Sequence, residues 1–473
     1  MSKAEIGVLG LGTMGAMLAM NIADNGFQVA VTNRTASRID EFMVEAGALA
    51  DNIVAAAALE DFVQALERPR NILLMVPAGP AVDAQIAALR PFLDDDDLII
   101  DAGNANFHDS ARRAALAEKE GWPFLGIGVS GGAEGARFGP SIMGGGPKSA
   151  WDRVAHILTA ISAKYEDTPC ATWMGSGGSG HFVKTVHNGI EYADMQLIAE
   201  AYGILRDGQG QTAAQIATRF VSWNDGALQS YLIEISGKVA AATDPETSHP
   251  MLDVILDRAG QKGTGRWTAI EAQMLGVPVP VIEAAVAARN LSAARDLRLS
   301  GAARFAATAS TSMPHDAVTD TDLEHALIAG KVLCYAQGFD LLNRASDENG
   351  WDLPMPEIAE VWREGCIIRS AMLNDMATAL RSDPKAHLAL TPYFSKVLDQ
   401  TMPGLRKVTL AAQAARIAVP ALSAALAYAD TLATARTTAN MLQGQRDYFG
   451  AHGFERVDRP GAHHGPWLGA HLN

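Results

Sequence analysis

The sequence predicts an α/β Rossmann N-terminal domain, followed by a large all-α domain with a duplicated helical unit and a short C-terminal tail. Three observations support this prediction. A glycine triplet separates a strand pattern from a helix pattern near the start of the chain, the alternation of strands and helices stops near residue 179, and helical periodicity breaks again near residue 436. We therefore expect domains at residues 1–178, 179–435 and 436–473.

The composition is that of an ordinary globular protein. The chain has 473 residues, 48% of them hydrophobic and 19% charged, with a net charge of −15 and a pI near 5.2. A chain of this length is too long to fold around one compact core, so more than one domain is expected. The excess of acidic residues argues against nucleic acid as a partner. The three cysteines form no CxxC pair, which argues against disulfides and structural zinc. A strand pattern begins by Ile6, which argues against a signal peptide, and the lack of a long apolar run argues against a membrane span. We expect a cytoplasmic protein with no membrane partner.

The first elements have the pattern of a dinucleotide-binding βαβ unit. Residues 4–15, AEIGVLGLGTMG, combine a short apolar strand with Gly10-x-Gly12-x-x-Gly15 and precede a helix and a second strand. Gly10 permits the tight turn, Gly12 lets a pyrophosphate approach the backbone, and Gly15 allows the helix to pack closely. The pyrophosphate is then expected at the N-terminus of the helix.

The end of the second strand predicts the cofactor. It reads Asn33-Arg34-Thr35, without the acidic residue that binds the ribose 2′-hydroxyl in most NAD sites. The Arg34 guanidinium can pair with a 2′-phosphate or stack on adenine, so we expect NADP. The alternative is a surface arginine in a turn.

Three more strand patterns follow, and the last leads into a glycine-rich loop. Ser130-Gly131-Gly132 offers a hydroxyl and successive backbone N–H groups that could hold a carboxylate. The acidic run Asp94–Asp97 is interpreted as a solvated turn, because no histidine or further carboxylate joins it at ligand spacing, and we expect no metal. The strand patterns are NILLMVP (71–77), LIIDAGN (98–104) and PFLGIGVS (123–130).

The segment 180–192, GHFVKTVHNGIEY, is predicted to be a helix that carries chemistry on one face. At about 100° per residue, Lys184, Asn188 and Glu191 share one arc of the helix, with Tyr192 at its edge. An amine, an amide, a carboxylate and a phenol along two turns suit a small molecule that lies along the helix. The alternative is a solvated face with incidental charges, which the histidines of this segment make less attractive.

Two features further along the chain suggest a phosphate site. The glycine-rich loop AGQKGTGRWT (259–268) contains Lys262 and Thr264 and opens onto a helix, although an ordinary helix-capping loop has the same composition. Arg289 lies within an otherwise apolar helix pattern. A lone arginine in such a place is more often a structural ion pair than a ligand, until a second feature supports binding.

The helical part contains a weak internal sequence repeat. Tyr192-Ala193 and Tyr335-Ala336 begin similar helical runs 143 residues apart, and Trp223 and Trp362 precede similar runs 139 residues apart. The near agreement of the two offsets predicts a duplicated helical unit. The tail after residue 436 is aromatic and basic, and we expect it to dock on this subunit or on a neighbouring one.

Taken together, these motifs resemble the decarboxylating 6-phosphogluconate dehydrogenases of the pentose phosphate pathway. The resemblance covers essentially the whole chain, through GLGTMG, NRT, IIDAGN, GVSGGAEGARFGPSIMGGG, GHFVKTVHNGIEYADMQLIAEAY, AGQKGTGRWT, GCIIRS and QRDYFGAH. It implies 6-phosphogluconate as substrate, NADP as cofactor, and a homodimer in which each C-terminal tail enters the partner subunit.

The resemblance also implies roles for individual residues. Lys184 falls on the family's general base and Glu191 on its general acid. Contacts to the sugar acid and its phosphate fall on Asn104, Ser130, Gly131, Gly132, His187, Asn188, Tyr192, Lys262, Thr264 and Arg289, and on Arg446 and His452 from the other subunit. Cofactor contacts fall on Gly10, Leu11, Gly12, Thr13, Met14, Gly15, Asn33, Arg34, Thr35, Val76, Pro77, Ala78 and Asn104. The chain departs from the family at Pro77, where a lysine is common, and at Asn106 and Ala133, where a glutamate is common.

The implied reaction is an oxidative decarboxylation without a metal. Neutral Lys184 removes the proton of the 3-hydroxyl during hydride transfer, and its ammonium form then stabilises the enolate left by loss of CO2. Glu191 protonates C1 and yields ribulose 5-phosphate. Two other readings compete: a shorter β-hydroxyacid dehydrogenase of the 3-hydroxyisobutyrate type, which needs no phosphate site, and a catalytically silent NADP-binding regulator, which needs neither Lys184 nor Glu191.

Overall fold

The computed structural model describes residues 3–261, 263–305, 312–314 and 316–469. Lys262 of the predicted phosphate site therefore lies outside the described residues. The chain divides into two compact units, residues 1–425 and 426–473. No described helix combines the length and the apolar character that crossing a membrane would require.

The first unit begins with an eight-stranded sheet in the order β10-β7-β6-β5-β4-β1-β2-β3. All neighbouring strands are parallel except β6 and β7, which are antiparallel. The predicted Rossmann fold is confirmed, and the sheet contains three further strands, β3 at one edge and β7 and β10 at the other, which the sequence patterns did not predict. The strands are β1 (Ile6–Leu9), β2 (Val29–Thr32), β3 (Ile53–Ala55), β4 (Asn71–Leu74), β5 (Leu98–Asp101), β6 (Phe124–Val129), β7 (Ile142–Gly145), a separate hairpin of β8 (Lys164–Tyr165) and β9 (Thr168–Pro169), and β10 (Ala171–Gly175).

Helices cover both faces of this sheet, so its strands are apolar on both sides. Alternate residues of a strand enter two separate cores: in β4, Leu73 packs in one, whereas Ile72 and Leu74 pack in the other. The helices are α1 (Thr13–Asp24), α2 (Ala36–Ala46), α3 (Leu59–Gln64), α4 (Pro80–Leu89), α5 (Phe107–Glu120), α6 (Gly132–Phe138) and α7 (Lys148–Ile161).

The acidic run before β5 is the predicted solvated turn at Asp94, Asp95 and Asp96, which are exposed, but not at Asp97. Asp97 is fully buried, and its carboxylate accepts hydrogen bonds from the Arg70 guanidinium and backbone N–H, both at 2.6 Å. Asp94 lies 3.1 Å from the same guanidinium. The buried Arg70 side chain explains the acidic run, because it needs a carboxylate partner in the interior.

After β10 the described part of the first unit is helical, as predicted. Non-helical residues interrupt this part of the chain after Asn224, around the turn at Gly365 and before Pro420. The helices are α8 (Ser179–Gly203), α9 (Ala213–Asn224), α10 (Tyr231–Ala241), α11 (Met251–Val254), α12 (Thr264–Leu275), α13 (Pro280–Ala293), α14 (Arg295–Arg304), α15 (Asp320–Asn349), α16 (Met355–Val361), α17 (Met372–Ser382), α18 (Pro392–Ala414) and α19 (Pro420–Leu432).

The structure agrees with a duplicated helical unit. The two repeated sequences lie in α8 and α15, which pack closely against each other. A Cβ added to Gly338 of α15 would lie only 2.6 Å from Ile190 of α8. A fully buried ion pair joins them, with Lys331 Nζ 2.7 and 2.9 Å from the Asp194 carboxylate oxygens. Equivalent segments of the two copies also contact each other: Ser230 of the first copy pairs with Ser370 of the second in an antiparallel β-bridge. That offset of 140 residues matches the predicted period.

The second unit has its own polar centre. Its elements are α20 (Ala439–Gly450), β11 (Phe454–Glu455) and β12 (Ala462–His463). The fully buried Asp447 carboxylate accepts hydrogen bonds from the N–H groups of Gly453 and Gly465 and from the Trp467 indole, at 2.8–2.9 Å, and lies 2.7 Å from His464 Nδ1. Burial opposes ionisation, but these hydrogen bonds outweigh it and hold the pKa of Asp447 at about 2.

Candidate active site

The glycine triplet shapes the turn between β1 and α1 as predicted. Gly10 has a φ of +106°, and a Cβ there would lie 2.4 Å from the Met75 carbonyl oxygen. A Cβ on Gly15 would lie 1.9 Å from the Gly10 carbonyl oxygen, so only glycine allows α1 to start this close to the turn. A Cβ on Gly12 would meet no atom within 4 Å. The backbone at Gly12 is therefore open to a ligand, which fits the approach of a pyrophosphate.

A cavity of about 670 Å³ continues from this turn to the end of β2. Asn33 joins the two sides: its side-chain oxygen accepts a hydrogen bond from Leu11 N–H at 3.0 Å, and its amide donates to the Thr35 carbonyl at 3.2 Å. Arg34 is exposed and makes no ion pair among the described residues. The size of the cavity, the open backbone and a free cation together fit a dinucleotide with a phosphorylated ribose. Predicted contacts Leu11, Gly12, Thr13, Asn33 and Thr35 line this cavity.

Sequence reasoning missed three charged residues of α2 in the same cavity. Arg38, Glu41 and Glu45 all line it. Their spacing of three and seven residues along a helix was the available signal, since it places them on one face.

The loops after β4 and β5 carry the remaining predicted cofactor contacts. Val76, Pro77 and Ala78 follow β4, and Pro77 and Ala78 are exposed. The buried Arg113 guanidinium ties this loop to the next, because it donates to the Gly79 carbonyl at 2.9 Å and to Asp101 at 3.2 Å. Asp101 in turn accepts from Gly103 N–H at 3.1 Å, beside Asn104.

His181 holds the Asn104 loop against α8, and the sequence analysis had assigned it no role. Its Nε2 lies 3.0 Å from the Gly103 carbonyl oxygen, and its Nδ1 lies 2.6 Å from the Ser110 hydroxyl. Since a carbonyl can only accept, Nε2 carries the proton and Nδ1 accepts from Ser110. Burial lowers the pKa of His181, against the opposing charge of Asp101, and keeps the imidazole neutral.

Lys184 is the central group of the site. Its side chain is 6% exposed and its amine donates to the Ser130 hydroxyl at 2.9 Å, with His187 Nδ1 at 3.2 Å. The reading of this helix face as solvated is wrong, because residues 178–190 are all buried. Glycines on one face of β6 make the burial possible: a Cβ on Gly128 would lie 2.5 Å from Lys184 Cβ.

The same helix brings the other predicted groups alongside the amine. His187 Nδ1 lies 3.2 Å from the Asn188 side-chain oxygen and 3.8 Å from the Glu191 carboxylate. Asn188 reaches towards Asn104, with 3.5 Å between its side-chain nitrogen and the Asn104 oxygen. The prediction that Lys184, Asn188 and Glu191 share one face is confirmed.

Burial shifts the acid–base behaviour of all three titratable groups. It lowers the pKa of Lys184, against the attraction of Glu191, so that the neutral amine becomes accessible. It lowers the pKa of His187 strongly, and the neighbouring lysine charge acts in the same direction. It raises the pKa of Glu191, although Lys184 and Arg289 oppose the shift. The site therefore pairs an amine that tends to be neutral with a carboxyl group that tends to be protonated.

Tyr192, the residue after Glu191, contacts Arg289 of α13 and the start of α12, which begins with Thr264 and Gly265. The Arg289 guanidinium lies 3.7 Å from the centroid of the Tyr192 ring. Tyr192 packs on the start of α12, where a Cβ on Gly265 would lie 2.5 Å from its ring and Thr264 is buried. Arg289 forms no ion pair with a carboxylate among the described residues, so the ion-pair reading of this arginine fails. A cation and a helix N-terminus here suit an anionic group.

The Ser130-Gly131-Gly132 loop faces the amine end. Ser130 is buried, and Gly131 and Gly132 have φ values of +100° and +63°. A Cβ on Gly131 would lie 2.6 Å from the Gly365 carbonyl oxygen, which fixes the loop against the turn after α16. The remaining predicted contacts, Arg446 and His452, are exposed residues of the second unit.

Comparisons with known proteins agree with this arrangement over the whole chain. A family model described as the NAD binding domain of 6-phosphogluconate dehydrogenase matches residues 5–175, and one described as the C-terminal domain of the same enzyme matches residues 180–467. The chain is 47% identical over 475 residues to the NADP(+)-dependent, decarboxylating 6-phosphogluconate dehydrogenase of Bacillus subtilis, covering 99% of this chain and 100% of that one. It is 45% identical over 470 residues to the decarboxylating enzyme of Escherichia coli, covering 99% and 100%.

A solved structure is also similar. The 6-phosphogluconate dehydrogenase of Plasmodium falciparum, described in its apo form and in complex with NADP+ and with 6-phosphogluconate, matches with a TM-score of 0.93 and 40% identity. The match covers 98% of this chain and 100% of that one.

The second and third glycines of the triplet, Gly12 and Gly15, allow a direct test of the cofactor site. Gly12 has φ −65°, which suits any residue, so Gly12→Val should leave the thermal midpoint unchanged while abolishing NADP binding. Gly15→Val should instead lower the free energy of unfolding by about 1–3 kcal/mol through overpacking. Thermal unfolding and NADP titration of both variants measure this, and normal binding by Gly12→Val would contradict the assignment.

Proposed function

The chain belongs to the 6-phosphogluconate dehydrogenase family, and we propose that it converts 6-phosphogluconate and NADP into ribulose 5-phosphate, CO2 and NADPH. The observation that carries this proposal is the buried Lys184 amine, hydrogen-bonded to Ser130 and on the same helix face as Glu191. A cavity of about 670 Å³ beside the glycine turn lies in the same unit, and the Arg289 guanidinium stacks on Tyr192, which follows Glu191 in α8.

NADP is held by the glycine turn and by the residues at the end of β2. When bound, it supplies the hydride acceptor for C3 of the substrate. The backbone at Gly12 and the N-terminus of α1 bind its pyrophosphate, and Arg34, with Asn33 and Thr35, binds the 2′-phosphate. Val76, Pro77, Ala78 and Asn104 complete this side of the site.

Lys184 acts first as a base. Its neutral amine takes the proton of the 3-hydroxyl as C3 is oxidised to a ketone, and burial favours this neutral state before the reaction. Ser130 and His187 hold the amine in place through the contacts at 2.9 and 3.2 Å. The backbone N–H groups at Gly131 and Gly132 bind the substrate carboxylate.

Lys184 then acts as an acid. The C1–C2 bond breaks, CO2 leaves, and its bonding electrons pass into an enolate whose oxygen the ammonium stabilises and protonates. Because the ammonium supplies this positive charge, we propose that the reaction needs no metal. Glu191 then donates its proton to the carbon that lost CO2, while the neutral Lys184 amine takes the proton back from the enol oxygen and the ketone of the product forms. The raised pKa of the Glu191 carboxyl group keeps its proton available for this step.

The phosphate of the substrate binds beyond Glu191. Tyr192, Thr264 and Arg289 form this end of the site, together with Lys262. We propose that the protein is a homodimer and that Arg446 and His452 reach the phosphate from the second subunit. Asn104 and Asn188 bind the hydroxyls between the two ends. The composition further suggests that the enzyme works in the cytoplasm.

One assay separates this proposal from its rivals. NADPH formation should occur with 6-phosphogluconate, persist in the presence of a chelator, and fall strongly with gluconate, which lacks the phosphate. Preference for 3-hydroxyisobutyrate would favour the shorter β-hydroxyacid dehydrogenases, and absence of turnover with any of these would favour a binding protein. Loss of activity with the chelator would refute metal independence alone.

The pH profile should report the two catalytic groups. Activity should fall at low pH as Lys184 becomes protonated, and at high pH as Glu191 loses its proton. Glu191→Gln should lower kcat by about 10²–10⁴-fold and remove the alkaline limb. The matched control is Glu200→Gln on the same helix: burial raises the pKa of Glu200 to about 7, but its carboxylate binds the N–H groups of Ala421 and Leu422. That variant should keep both limbs, and an unchanged profile in Glu191→Gln would contradict the proposed roles.

Mixing two inactive variants tests the exchange of tails. Lys184→Ala lacks the base and Arg446→Ala lacks the proposed tail contact. If Arg446 serves the other subunit, randomly reassembled dimers should recover about a quarter of wild-type activity, because half are mixed and each mixed dimer has one complete site. If Arg446 serves its own subunit, every mixed site lacks one group and no activity returns.

A further inference from the structure

Helix α2 carries a charge cluster that the proposed reaction does not use. The Arg38 guanidinium donates from Nη1 and Nη2 to the two carboxylate oxygens of Glu45, at 2.7 and 2.8 Å, and Nη1 also lies 3.3 Å from Glu41. Its Nε donates to the Leu11 carbonyl at 2.9 Å, within the glycine turn. All three polar nitrogens of this side chain are therefore engaged.

The cluster lies beside the part of the cofactor site where NADP and NAD differ in structure. Arg38, Glu41 and Glu45 line the same cavity as Gly12 and Thr35, next to the end of β2. The end of the second strand is where Rossmann proteins bind the 2′ position of the ribose. NAD has a hydroxyl at this position, whereas NADP has a phosphate with up to two negative charges.

The charges of the cluster act on that phosphate in opposite directions. One guanidinium and two carboxylates sum to −1, so the cluster as a whole repels an anion. The N-terminal turn of α2 is favourable, because it contains no acidic residue and Thr35 caps it without a side-chain hydrogen bond. The bidentate fork with Glu45 also withholds the guanidinium from any other acceptor.

From this geometry we infer that the Arg38–Glu45 fork tunes the preference for NADP over NAD: the charge of Arg38 favours the 2′-phosphate, and the charge of Glu45 opposes it and limits the preference. This inference rests on the cofactor site of the proposed function. It goes beyond the reaction, because it assigns a specificity role to side chains that make no contact with the reacting atoms.

A purely structural role for the cluster gives a different result. Through the Leu11 carbonyl, Arg38 also steadies the glycine turn, which contacts the pyrophosphate shared by both cofactors. If this were its whole role, variants would change the affinities for NADP and NAD by the same factor. The ratio of the two dissociation constants is therefore the informative quantity.

The experiment measures binding of NADP and of NAD by calorimetry at low salt, without substrate. Glu45→Gln should tighten NADP binding by about fourfold, the effect of one charge about 10 Å from a dianion in water, and leave NAD binding unchanged. The gain should shrink at high salt. Arg38→Gln should weaken NADP binding more than NAD binding. Glu60→Gln, an exposed carboxylate of α3 that does not line the cavity, is the matched control and should change neither.

An unchanged NADP-to-NAD ratio in both Glu45→Gln and Arg38→Gln would overturn the inference while leaving the proposed function intact. A wild-type protein that binds neither dinucleotide would overturn both. Thermal unfolding of each variant shows whether a change in affinity arises from loss of the fold.

Discussion

Helix α8 is buried over most of its length although it carries many polar side chains, and the surrounding structure supplies partners to several of the buried ones. Lys184 binds Ser130, His181 binds Gly103, Asp194 binds Lys331, and Glu200 binds the N-terminus of α19. An unpaired polar group in such a place costs about 1–3 kcal/mol, and an unpaired charge costs more. These partners come from two loops at the edge of the sheet and from the helices α15 and α19, so the position of α8 is fixed by groups from distant parts of the chain.

The burial of α8 also shifts the pKa values on which the proposed reaction depends. A lysine on a wet helix face would stay protonated at neutral pH, and a glutamate there would stay ionised. Packing α8 on β6 removes water from both, which moves their pKa values towards each other. The fold and the acid–base pair thus have one physical cause, and a change that let water reach α8 would weaken both.

The sequence predicted those parts of the protein whose signals are local. The glycine triplet, the strand–helix alternation and the single face of α8 all depend on residues a few positions apart, and each is confirmed. The strands β7 and β10 were missed because their pairing depends on distant segments and their glycines resemble a loop. His181 was missed for a similar reason, since its partners lie 71 and 78 residues away. Arg38 has local partners in Glu41 and Glu45, and only its contact with the Leu11 carbonyl, 27 residues away, connects it to the glycine turn. The burial of Asp97 followed from Arg70, another distant partner, and Lys262 lies outside the described residues.

The internal duplication places an equivalent but more apolar helix, α15, against the polar helix α8. With the offset of Tyr335 from Tyr192, Leu327 stands in α15 where α8 has Lys184, and Cys334 stands where α8 has Glu191; both are fully buried. The two equivalent helices therefore have different tasks: α8 carries the polar groups of the site, and α15 supplies part of the apolar surface that keeps water away from them. Because both helices belong to one chain, this part of the dry environment of α8 needs no second molecule.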